Sequence, residues 1–196
     1  MSKPTRRALM TGMAGLSLAQ VTQSSAASGA RIAQPKAPVL VAYFSRSGNT
    51  RVIAGLLQRA FGADLFEILP ATPYPDEYLV TVEQARQERD QGVEPPLKTQ
   101  VQNMASYATV FLGLPIWGET APPIIRSFLS AHDLPGKTIV PFITHGGYGL
   151  GSSERVIARH APKSRLQPAF SIQADQERQT MDRVNAWLGA SRATRK

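Results

Sequence analysis

The sequence predicts an α/β fold: a doubly wound, mostly parallel five-stranded sheet with helices on both faces. Three observations predict it. Apolar strand-like runs alternate with segments of helical periodicity from residue 38 onward. Two of those runs, 39–44 and 109–114, read as buried strands. Three strand–helix junctions carry loops of unusual composition, in the places where open α/β sheets bind ligands.

Val39–Phe44 is the first strand, followed by a helix over Thr50–Ala60 with Val52, Ile53, Leu56, Leu57 and Ala60 on one face. Ala63–Leu69 alternates well enough for an edge or second strand. Pro70, Pro73 and Pro75 make a turn, and Glu77–Gln91 is polar and helical, stopping at Gly92 and Pro95-Pro96. Val101–Ala105 suits a short helix. Thr109–Leu114 is a third strand, halted by Pro115. Pro122 and Pro123 sit where a helix begins, with Ile124, Ile125, Phe128 and Leu129 as its apolar face. Thr138–Thr144 is a fourth strand, Ser152–His160 a helix, Leu166–Ile172 a weaker fifth strand, and about Asp175–Leu188 a final amphipathic helix.

A length of 196 residues bounds the chain to one domain with a processed tail. Apolar residues make up 42% and charged residues 18%, which suits a packed core. The absence of Cys excludes disulfides, thiolate metal sites and a Cys nucleophile, and three His argue against a dedicated zinc site. No metal site is expected. Thr5-Arg6-Arg7-Ala8-Leu9-Met10, a mildly apolar stretch from Ala8 to Val21, and the small residues Ser24–Ala30 form the three parts of a signal peptide. The apolar stretch is too short to span a bilayer, so no stable membrane insertion is expected. The expected organisation is residues 1–30 as signal, 31–37 as linker, 38–190 as the folded domain and 191–196 as a basic tail. Loss of Lys3, Arg6 and Arg7 with the signal lowers the formal charge from +8 to +5. The remaining basic residues are scattered, with a loose cluster at Arg155, Arg159, Lys163 and Arg165. They suit a solvated surface or a docking patch for an acidic partner, and not nucleic acid.

The three loops are Ser45–Thr50, Pro115–Thr120 and Thr144–Gly151. In the first, Ser45, Ser47, Asn49 and Thr50 offer hydrogen bonds at a helix N-terminus, and Gly48 lets backbone approach a phosphate. Capping by Asn49 or Thr50 explains that loop alone about as well. The pattern lacks the three glycines of a dinucleotide fingerprint and the Lys of a P-loop. The second loop offers Trp117 for stacking and Gly118 as a free peptide position. The third offers close backbone approach and a second aromatic, Tyr148. Together they suit a flat, phosphorylated aromatic ligand.

Ser45-Arg46-Ser47-Gly48-Asn49-Thr50, Pro115-Ile116-Trp117, Gly136-Lys137-Thr138 and Thr144-His145-Gly146-Gly147 occur in the order found in flavodoxins, and the chain resembles that family from Pro38 to Leu188. The resemblance implies strand order 2-1-3-4-5 and noncovalent FMN. Its phosphate would be held in Ser45–Thr50, and its ring between Pro115, Ile116, Trp117 and Gly118 and the residues Thr144, His145, Gly146, Gly147 and Tyr148. It also implies that the cofactor performs the chemistry, with no catalytic side chain. The arginine pair resembles a twin-arginine signal, implying the Tat export machinery as a partner and a periplasmic location. Three functions stay open. The first is electron transfer through FMN with a redox partner protein or small electron acceptor. The second is an NAD(P)H-dependent FMN or quinone reductase on the same fold, and the third a non-redox binding protein.

Overall fold

The structure is a computed structural model that describes residues 38–173 and 183–189. The leader, the linker, the basic tail and the first part of the expected final helix lie outside the described residues.

Five continuous apolar residues make β1 (Val39–Tyr43), an interior strand buried along its whole length. It pairs in parallel with β2 (Asp64–Glu67) and with β3 (Thr109–Pro115). β4 (Thr138–His145) follows β3, and β5 (Arg165–Leu166) and β6 (Phe170–Gln173) both pair with β4. All registers are parallel, and the main path runs β2-β1-β3-β4-β5, the expected order. Successive side chains point to opposite faces. Leu40, Ala42, Val110, Leu112, Leu114, Ile139 and Ile143 therefore join one apolar layer, and Val39, Val41, Phe111, Val140 and Phe142 the other.

The first layer is closed by α3 (Pro123–Ala131) through Ile124, Ile125, Phe128 and Leu129, and by α4 (Ser153–His160) through Ile157. The second is closed by α1 (Asn49–Phe61) through Ile53, Ala54 and Leu57, and by the helical residues 183–189 through Val184 and Leu188. The helix α2 (Tyr78–Asp90) belongs to neither layer and buries only Thr81 and Ala85. Val101–Ala105 is not an α-helix; a single 3-10 turn occupies Met104–Ser106.

The fifth strand is broken, contrary to the continuous Leu166–Ile172 expected. Gln167 donates to the Ile139 carbonyl, so the odd-numbered residues of β4 face this edge, and one of them is Pro141. Proline has no N–H to continue the ladder. Between the pairs Ile139–Leu166 and Phe142–Phe170 the outer strand carries one residue more than β4, a bulge at Gln167-Pro168-Ala169.

Candidate functional site

β1, β3 and β4 end side by side, and their carboxyl-end loops enclose one cleft of about 470 Å³. Arg46, Ser47 and Asn49 line it from the first loop, Pro115, Ile116, Trp117 and Gly118 from the second, and Thr144, His145 and Gly146 from the third. Ser45, Gly48, Thr50, Gly147 and Tyr148 are not among its lining residues.

The N-cap of α1 is Gly48, held at φ 94° and with no side chain of its own to cap the helix. Asn49 and Thr50 are therefore first-turn residues, not caps. The Ser45 hydroxyl accepts from the amides of Gly48 (3.1 Å) and Arg51 (3.4 Å), tightening the loop from within. The Asn49 and Thr50 amides have no partner among the described residues, and Asn49 lines the cleft, so the positive end of the helix lies at the cleft. The positive φ at Gly48 requires glycine, and nothing lies within 4 Å of where a Cβ would stand. Thr50 and Thr144 spend their hydroxyls on each other, 2.9 Å apart and buried.

The second loop is a tight turn. Trp117 and Thr120 exchange backbone hydrogen bonds of 2.9 and 3.3 Å, with Gly118 (φ 56°) and Glu119 (φ 62°) both left-handed between them. The Glu119 carbonyl accepts from the Ser152 amide at 2.9 Å, and the Ser152 hydroxyl lies 2.8 Å from the Thr120 hydroxyl. Ile116 donates to the Thr144 carbonyl at 2.9 Å. The second and third loops are thus one unit.

Trp117 is held edge-on by Phe44 (5.2 Å between ring centroids) and Tyr74 (4.9 Å). The Tyr74 hydroxyl donates to Glu88 at 2.8 Å; burial, reinforced by that carboxylate, pushes its pKa well above the usual tyrosine range. A protonated, half-buried Tyr74 therefore ties Trp117 to α2. Tyr148 is 86% exposed and lines a different cavity rather than the cleft. The aromatic side chain that lines the cleft beside Trp117 is Tyr78, at the start of α2.

A further wall of the cleft is not evident from the sequence. Tyr78, Thr81, Val82, Ala85, Arg86 and Arg89 of α2 line the cleft. The signal was present as spacing: these positions recur at three- and four-residue intervals and share one face. It was hidden because Thr81, Arg86 and Arg89 are interleaved with Tyr78, Val82 and Ala85, so the face shows no continuous apolar stripe. Two of its arginines are held by carboxylates of the same helix, Arg86 by Glu83 (2.7 Å) and Asp90 (3.1 Å), Arg89 by Asp90 (3.0 Å). From the first loop, Arg46 donates to the Asp76 carbonyl at 2.6 Å, with its guanidinium 5.8 Å from the centre of the Tyr78 ring.

Among the described residues, no cluster of three His, Cys, Asp or Glu is arranged to hold a metal ion, and no helix is long and apolar enough to cross a membrane.

A parallel sheet of this order, with a helix N-terminus and an aromatic wall at the ends of its central strands, defines the flavodoxin-like class. A profile of the flavodoxin family matches residues 38–190, and the chain belongs to that family. It is 34% identical to a protein assigned as a flavoprotein from Bacteroides eggerthii, over 79% of this chain and 97% of that one, with a TM-score of 0.67. A second, from Bacteroides uniformis, is 27% identical over 78% and 98%, with a TM-score of 0.69. A flavoprotein in complex with FMN from Lactobacillus acidophilus shares the fold, at 18% identity over 74% and 99% and a TM-score of 0.59. A comparison with curated proteins found no match.

Proposed function

We propose that the cleft binds FMN noncovalently and that the protein transfers electrons through it. The observation that carries this reading is the meeting, in one cleft, of the unpartnered α1 amides with the Trp117 and Tyr78 rings. The residues fit the cofactor. Amides of Asn49 and Thr50 with the Ser47 and Asn49 side chains suit a phosphate, and the open space at Gly48 leaves room for it. Trp117 and Tyr78 offer π faces for a tricyclic ring, and the His145-Gly146 backbone approaches without a bulky side chain. FMN, when bound, supplies the one- and two-electron chemistry that no side chain of the cleft provides. The protein's part is to orient the ring, exclude water with α2 and set the local charge. The formal charge of +5 after loss of residues 1–30 favours added negative charge in the cleft. The reading therefore includes a reduction potential less negative than that of acidic flavodoxins.

The same reading gives Arg6-Arg7 the role of a twin-arginine signal and places the protein, loaded before export, in a bacterial periplasm with a redox partner or small acceptor there. The test is the visible spectrum of the exported protein and FMN titration of the apoprotein by fluorescence quenching. A yellow protein that quenches FMN stoichiometrically supports the reading; a colourless one that takes up no FMN overturns it. Fractionation of the double variant R6K/R7K tests the export route, with retention in the cytoplasm expected.

A further inference from the structure

A second cavity, of about 700 Å³, shares Arg89 and Gly118 with the cleft as a common wall. Arg89, Arg126, Arg155 and Arg159 line it, and Glu119 is the one carboxylate among its lining residues. Arg126, in the first turns of α3, is only 9% exposed. Its one hydrogen bond among the described residues is a long one, 3.5 Å, to the Arg89 carbonyl, and no carboxylate there pairs with it. A buried guanidinium without a counter-charge is costly to keep. Arg155 and Arg159 are four apart on α4, so they stand on one face and repel. Neither pairs with a carboxylate among the described residues. The adjacent Glu154 accepts instead from the Ala169 amide at 2.9 Å.

We propose that this cavity binds a small molecule through a diphosphate-type anion. Arg89 of α2 is already met by Asp90, but Arg126 of α3 and Arg155 and Arg159 of α4 converge with only Glu119 among the lining residues, so the missing charge is that of a multiply anionic ligand. Guanidinium forks match phosphate oxygens two at a time, and the volume suits a molecule of nucleotide size. The innermost cation is buried, which admits a small anion more readily than a carboxylate borne on a protein surface. Tyr148, at the same cavity and 86% exposed, presents an aromatic face beside the anion subsite. None of this depends on the flavin reading, although a ligand held here lies next to the cleft.

The test is isothermal titration calorimetry of the full protein with inorganic pyrophosphate and, separately, with ADP, at about 0.15 M salt so that loose surface attraction is screened. FMN is present at about one equivalent so that little free FMN competes with the probe, and R155A/R159A separates binding here from binding at α1. Binding of pyrophosphate with a Kd of about 1 mM or tighter is expected, weakened about tenfold or more in R155A/R159A and unchanged in R165A, an exposed arginine elsewhere. The R155A/R159A pair carries the test because R126M alters a buried position. Tighter binding of ADP that Y148A returns to the pyrophosphate level assigns the anion to a nucleotide; equal binding assigns a free phosphate-type anion. No heat with either probe, or equal weakening in R165A, overturns the proposal, as does retention of an acidic protein by a chain that binds neither. The heat is read without any flavin signal, so a protein that binds FMN but neither probe refutes this inference alone.

Discussion

The hydroxyls of Thr50 and Thr144 meet at 2.9 Å inside the protein and join the first turn of α1 to the end of β4. This one bond fixes the helix N-terminus against the third loop, and with it the two sides of the cleft. T50V or T144V leaves the other hydroxyl buried and unsatisfied, which costs about 1–3 kcal/mol, whereas the double valine variant recovers part of the loss. Urea unfolding of the four proteins checks it as a double-mutant cycle. Additive losses would refute the coupling.

Tyr78, and not Tyr148, lines the cleft. W117A and Y78A are each expected to weaken FMN binding by about three- to tenfold, the scale of one aromatic contact. Y148A is expected to leave the affinity within about twofold. Fluorescence quenching titrations decide, and a large loss in Y148A would return that residue to the flavin site.

Gly151 lies against the Glu119 carbonyl, where a methyl group has no room, and its own φ is 53°. Glu119 is itself held at positive φ and accepts from Ser152, so the second loop cannot yield without breaking that bond. G151A is expected to lose about 2–4 kcal/mol of stability and to weaken FMN binding with it. G146A, where a methyl group meets nothing within 4 Å, is expected to keep its stability. Thermal unfolding of the two variants side by side gives the answer.

His132 is locked as a neutral ring. Its Nδ1–H donates to the Phe128 carbonyl at 2.7 Å, which leaves Nε2 to accept from the Val101 amide at 2.9 Å. Burial lowers its pKa below the ordinary value near 6.5, an effect only partly offset by the Phe128 carbonyl. The unfolded chain therefore takes up the proton first as pH falls. The stabilising contribution is complete above about pH 6.5 and declines as pH drops through that value toward the folded pKa. H132Q is expected to flatten this dependence between pH 7.5 and 5, read from urea midpoints at each pH. An unchanged slope would show that other groups set it.

Much of the fold was legible because burial on both faces leaves a plain signature. Val39–Tyr43 and Val110–Leu114 are short continuous apolar runs bounded by turn residues, the pattern of a strand buried on both faces. The broken fifth strand was not legible, since the effect of Pro141 depends on which neighbour its missing N–H faces, a matter of register. The three loops were visible through Gly, Ser and Trp at strand ends, yet composition alone did not tell a residue that lines the cleft from one that shapes it. Ser45 and Thr50 have the same hydroxyl chemistry as Ser47, and only packing turns theirs inward.

By itself, the sequence determined the α/β class, the strand order through family resemblance, and the three loops that meet at the cleft. Local pattern suffices there, because each strand and each helix start is written in neighbouring residues. Tertiary structure decided what spans distant parts of the chain: α2 as the fourth wall, Tyr78 rather than Tyr148 lining the cleft, and Arg126 brought beside Arg155 and Arg159. These relationships depend on how helices far apart in sequence come to lie together, and periodicity within a segment carries no record of that.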